Sequence, residues 1–162
     1  MPQLMLAITL IAIVVHLTLM KQKSAKNVVE VILLYLLALA VGAGALLAGL
    51  MHIFNGPATA QMIGWAAGSP FQFEVGVADV AFGLIAILCL FIRGNFWLAA
   101  IIANSTFLLG CMVGHVSSLA ENGNFAAYNI GPNIIISDLI VPLVIIGLYI
   151  AYLKLSPMGA KE

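Results

Sequence analysis

His52, Gln72, Glu74, Asp79, His115 and Asp138 are the residues of this chain whose types could do chemistry, and all of them stand beside long apolar runs. A carboxylate at the centre of a bilayer costs about 2.5 to 3.5 kcal/mol on insertion scales, so such a group faces a partner, water or a ligand rather than lipid. Imidazoles and carboxylates held together can pass protons, pair with a cation or ligate a metal. Which of these is open depends on the elements that carry them.

Those elements read as transmembrane helices. The chain has 162 residues, 64% of them hydrophobic and only 7% charged, with a mean hydropathy of +1.17. Soluble domains are roughly half apolar and a quarter charged. Apolar stretches at 3–20, 28–54, 73–92, 96–119 and 134–153 are each about long enough to cross a hydrocarbon core as a helix. The ten-residue alternation of a membrane barrel strand is missing. The expected fold is all-α: a polytopic membrane bundle of five transmembrane helices, one domain over residues 1–162.

Charge sets the expected orientation. Lys21, Lys23 and Lys26 follow the first span, Arg93 the third, and Lys154 and Lys161 the fifth, all on one side of the layout. The positive-inside rule then predicts an outside N-terminus and an inside C-terminus, in an inner or plasma membrane. The first span lacks a basic region before its apolar stretch, so it reads as a mature helix and not a signal peptide. Glu30, four residues after Lys26, is placed for an exposed pair with it. A formal net charge of zero gives no reason to expect nucleic acid.

With the helices so oriented, His52 ends span two at the outer face, Glu74 and Asp79 begin span three, His115 and Glu121 end span four, and Asp138 begins span five. By helical rise most of them lie within roughly 10 Å of the outer boundary. The expectation is an outward-facing carboxylate and histidine pocket, with Asp79 as its central acid and Glu74 and Asp138 flanking it. His52 and His115 serve as proton carriers or ligands, and Gln72 and Trp65 form the rim. Glu121 reads as solvated, His16 as structural, and Asn104 as bonding across helices.

The outer loops have their own signals. In "NGPATAQMIGWAAGSP", residues 55–70, Pro57 can open a short interfacial or re-entrant helix and Gly68 to Pro70 can close it, with Trp65 at the membrane interface. In "ENGNFAAYNIGPN", residues 121–133, Asn122-Gly123 and Gly131-Pro132 are turn signals. Cys89 and Cys111 differ in depth by roughly 10 Å along their spans, too far for a disulfide.

Small residues predict the helix contacts. Ala38, Gly42, Ala45, Gly49 and His52 share one face of span two; Ala99, Ala103, Thr106, Gly110 and Gly114 share one of span four, beside a polar stripe of Asn104, Cys111, His115 and Ser118. In lipid such faces bring helices close, so Gly42, Gly49, Gly110 and Gly114 are the expected packing positions. Asp79 shares its side with Gly76, Gly83 and Ala86. These faces also suggest a homo-oligomer or a subunit of a larger membrane complex. Pro142 deprives the Asp138 carbonyl of its helical donor, which predicts a kink or polar contact there.

Three function classes follow. A pocket of buried titratable groups suits binding of a small molecule or ion, or proton-coupled transport, although few polar residues continue inward from the layer. A membrane-embedded metal or redox enzyme subunit would use the same histidines and acids, but HExxH, a repeated ExxH, cysteine-rich motifs and CxxCH are all absent, so metal and cofactor stay unassigned. A non-catalytic oligomeric scaffold would use the glycine faces. No P-loop, dinucleotide fingerprint or nucleophile elbow occurs.

The stretch "FEVGVADVAFGLIAILCLFIRGNFWLAAIIANSTFLLG", residues 73–110, resembles the acidic, glycine-bearing helix pair of DoxX-like small bacterial membrane proteins. The chain is also similar to a bacterial family of small membrane proteins of unknown function, at "GSPFQFEVGVADVAFG" and at Gly114-His115. DoxX-like proteins are commonly four-helix proteins, some linked to quinone or thiosulfate redox chemistry, whereas five spans are read here. The resemblance carries no catalytic residue onto this sequence.

Overall fold

The computed structural model describes residues 2–156, with side chains from Leu4 onward. Lys161, which the charge pattern grouped with the inner lysines, lies outside the described residues. The chain runs as helices α1 (Pro2–Leu19), α2 (Ala25–Phe54), α3 (Gly56–Ile63), α4 (Phe71–Leu88), α5 (Asn95–Asn122) and α6 (Ala127–Leu155), with no strand among the described residues. Four of these, α2, α4, α5 and α6, are long and apolar enough to cross a membrane; the apolar part of α1, Leu4–Leu19, is shorter. Large apolar side chains such as Leu4, Ile11, Phe54, Val113 and Leu143 are exposed along the bundle, a surface suited to lipid and not to water.

The local signals explain the helix ends. Ser24 caps α2 by accepting from the Asn27 N–H, and Pro57 occupies the first turn of α3. That short helix closes earlier than expected: Gly64, at φ 82°, ends it in the left-handed conformation, ahead of Gly68 to Pro70, because glycine enters that region without a Cβ clash. Helix α6 also begins earlier than expected, taking in residues read as loop. It bends at Gly131, where Pro132 restarts it. Next comes a π-helical turn over Ile135–Ile140, just ahead of Pro142. This is the distortion anticipated at Asp138: with no N–H on the proline, the backbone widens its hydrogen-bonding step. A second π-helical turn, Leu36–Ala43, interrupts α2.

The basic side chains gather at one end of the bundle. Arg93 after α4 reaches Glu30 at the start of α2 with N···O 3.8 Å, and Lys26 lies 5.5 Å over the ring of Tyr152 near the end of α6. Glu30 therefore faces Arg93 across helices instead of Lys26 along its own. Next to this lysine end sits the apolar core, where Leu33, Leu37, Trp97, Ile101, Ile145 and Tyr149 pack together. The Trp97 Nε1–H donates to the Cys89 carbonyl at 2.9 Å. His16 meets the Tyr35 hydroxyl at 3.1 Å, and both cysteines are free thiols.

Helices α2 and α4 approach each other closely. A Cβ added at Gly49 would stand 2.7 Å from the Gly76 carbonyl oxygen, and one at Gly83 would stand 2.8 Å from that of Gly42. The two backbones touch, which only glycine permits at these positions. Gly42 and Gly49 are thus at the contact that the sequence predicts. Gly110 and Gly114 are placed differently: both are exposed, and a Cβ there would meet nothing within 4 Å. The small-residue face of α5 points away from the bundle, and the polar stripe of Asn104 and His115 points into it.

Candidate functional site

At the end away from the lysines, the helices part to leave a cavity of about 460 Å³. Its walls come from every helix: Leu6 of α1, Met51 and His52 of α2, Thr59 and Ile63 of α3, Asp79 and Phe82 of α4, Asn104, Phe107, Cys111 and His115 of α5, and Tyr128, Asn133, Ser137 and Asp138 of α6. Both π-helical turns contribute lining residues, Val41 from one and Ser137 and Asp138 from the other.

Asp79 reaches the cavity because its stem leaves α4 at the glycine contact, its Cβ 3.0 Å from where a Cβ on Gly49 would be. It is only 8% exposed, yet no hydrogen bond or ion pair satisfies its carboxylate among the described residues. Asp138, also 8% exposed, accepts from the neighbouring Ser137 hydroxyl. Its second oxygen lies 3.7 Å from Nε2 of His115.

His115 is held from three sides. The Asn129 amide nitrogen donates to the carbonyls of His115 and Asn124, so its oxygen is the group that meets His115 Nδ1 at 2.9 Å. That oxygen can only accept, which puts a hydrogen on Nδ1. Nε2 then faces Asp138, and one proton between the two is what makes that contact favourable. Trp65 covers the imidazole, stacked at a 5.6 Å centroid distance and 24° between planes, and its Nε1–H donates to the Ser118 hydroxyl at 3.1 Å. Asn124 ties this cap down by donating to the Ile63 carbonyl and to Ser118.

The remaining expected residues divide. His52 lines the cavity and meets the Gln72 side-chain oxygen at 2.8 Å through Nδ1. Gln72 is buried behind it, supporting His52 without itself lining the cavity. Glu74 is exposed on the other side of α4, so the acids at the cavity are Asp79 and Asp138. Asn104 bonds as expected, donating to Phe82 across helices at 3.4 Å and to Ala100 at 2.9 Å. Among the described residues, no three of the His, Cys, Asp and Glu side chains are grouped as metal ligands would be.

Asn129, Asn133, Ser137 and Thr59 also shape the site, and sequence reasoning passed over them. For Asn129 and Asn133 a signal was present in the second loop, whose asparagines outnumber what its two turns need. A fully buried Asn such as Asn129 is costly unless every polar atom is paired, and here pairing it fixes His115.

The model of one family, described as a family of unknown function, DUF6790, matches residues 1–157. The chain belongs to that family. Because the match runs from the first helix through the last, the DUF6790 unit includes every wall of the cavity. No curated protein and no solved structure matches this DUF6790 chain. The DoxX-like resemblance expected from residues 73–110 finds no support in these comparisons.

Proposed function

We propose that this protein is a five-span integral membrane protein of an inner or plasma membrane, N-terminus outside, whose outward-facing carboxylate and histidine pocket binds a small molecule or ion. One observation carries the reading: Asp79, His115 and Asp138, from three different helices, line a single cavity. Its volume lies within the roughly 300–1,000 Å³ of small-molecule sites, and its mix of mostly apolar walls with a few convergent polar groups is what such sites have in common. Proton-coupled transport is the activity this pocket suits. Asp138 and His115 can hold one proton between them, and Asp79 can exchange another when the pocket meets water.

Cys111 gives the test, since it lines the cavity. In sealed right-side-out vesicles carrying Cys89→Ser protein, a membrane-impermeant trimethylammonium thiosulfonate should modify Cys111 from outside. Modification only after the inner face is opened would reverse the orientation. No modification from either face would remove the water-accessible pocket.

A second reading, the oligomeric scaffold, draws on the exposed face of Thr106, Gly110 and Gly114. Leucine at Gly110 and Gly114 should break such an assembly on size-exclusion chromatography, while Asp79→Asn leaves it whole.

A further inference from the structure

Hydrogen-bond capacity around the cavity is lopsided. Acceptors are left over: the Asp79 carboxylate has no donor among the described residues, and the Asn133 side-chain oxygen is buried without a partner. Asn104, 2% exposed, commits its amide nitrogen to Ala100 and Phe82, leaving its oxygen free on the cavity wall. Donors are used up. The Thr59 hydroxyl is directed to the carbonyls of Met51 and Asn55, and the Ser137 hydroxyl to Asp138. With Nδ1 of His52 committed to Gln72, a neutral ring offers only an acceptor at Nε2. Among the described residues no lysine or arginine lines the cavity, and the Tyr128 hydroxyl, the Asn133 amide nitrogen and the Cys111 thiol are the donors that remain.

With one proton shared by Asp138 and His115 that pair is neutral overall, and Asp79, when ionised, is the charge left facing a chamber whose apolar walls screen it poorly. An unpaired buried carboxylate is costly, and a paired, hydrogen-bonded one much less so. A ligand that keeps Asp79 ionised inside the chamber is therefore positive and carries N–H donors. A bare metal ion would leave most of about 460 Å³ unfilled, whereas the apolar walls, including the Phe82 and Phe107 rings with centroids 4.7 Å apart, offer contact to a hydrocarbon body and a π face to a cation.

We infer that the pocket selects a small organic ammonium, an apolar body carrying a protonated amine, with Asp79 as the principal counter-charge and the Asn104 oxygen as a second acceptor. This rests on the pocket reading above and narrows its ligand class.

Three probes of one shape test it: cyclohexylmethylamine, cyclohexylmethanol and cyclohexanecarboxylate, each titrated calorimetrically into full-length protein in phosphatidylcholine nanodiscs, with empty nanodiscs as the blank. The amine should bind about tenfold or more tighter than the alcohol, since a charge-assisted hydrogen bond is worth that much, and the carboxylate weakest of all. Asp79→Asn should bring the amine down to the alcohol's affinity while the alcohol's own affinity stays within about twofold. If amine and alcohol bind equally, the ammonium preference is wrong and the pocket stands. If no probe binds, the pocket reading falls with it. If Asp79→Asn weakens amine and alcohol alike, Asp79 is not the counter-charge. The comparison of the three probes on the unaltered protein decides the ligand class even where that variant fails to fold.

Discussion

Gly49 on α2 and Gly76 on α4 meet backbone to backbone, so that a methyl group on Gly49 would stand 2.7 Å from the Gly76 carbonyl oxygen. The contact sets where Asp79 enters the bundle, because its stem leaves α4 beside it. Neither backbone can retreat without moving a whole helix. Gly49→Ala should therefore lower stability by about 1 to 3 kcal/mol, the usual cost of overpacking. Gly110→Ala, on an open face, should stay within about 0.5 kcal/mol. Thermal unfolding of both variants in one detergent makes the comparison, and equal, small effects would mean the helices are farther apart than described.

The Asn129 side chain holds His115 through both of its polar atoms, at 2.9 Å to Nδ1 and 3.1 Å to the backbone carbonyl. Leucine there would bury an imidazole N–H and a carbonyl without partners. Asn129→Leu should destabilise by about 1 to 3 kcal/mol, and Asn129→Asp, which keeps the acceptor and loses the donors, by less. Chemical denaturation of the two variants checks the order. A leucine variant as stable as the original protein would show that the clamp does not hold.

Trp65 and Trp97 report on opposite ends of the bundle. Trp65 stacks on His115 and donates to Ser118, while Trp97 is buried in the core beside Cys89. In a Trp97→Phe background, His115→Ala should red-shift Trp65 emission and raise its quenching by acrylamide, because the ring loses its cover. Glu74→Ala, on the exposed side of α4, should change neither. Unchanged emission in the His115 variant would place Trp65 away from the site.

Much of this was legible in the sequence, and the residues that were not have identifiable reasons. The positions of the four long apolar helices followed from apolar run length, the length a bilayer's thickness requires. The inward direction of Asp79 followed from Gly76 and Gly83 on its own face. Glu74 is five residues before Asp79, roughly 140° around the helix, so grouping the two by depth overlooked that they cannot share a face. Sharing a layer was sufficient for Asp138 and His115 because α5 and α6 are consecutive helices packed against each other.

Gly110 and Gly114 expose a different limit. Small residues at helical spacing permit close approach, but spacing does not say which helix approaches, and among the described residues none does. Asn129 lay beyond reach for another reason. Its partner is 14 residues away across a turn, and only the folded path of residues 123–131 brings the two together. The short helix α3 was legible from Pro57, whereas its role as part of the cavity wall depended on how Asn124 and Trp65 fasten it to α5 and α6.

An experimental density map of the protein in lipid nanodiscs tests the shared cavity most directly. The expected result is that Asp79, His115 and Asp138 border one chamber at the end away from the lysines, with Asn129 against the imidazole and Trp65 over it. Side chains of Asp79 and Asp138 on opposite faces of the bundle, each bonded locally or turned to headgroups, would contradict it.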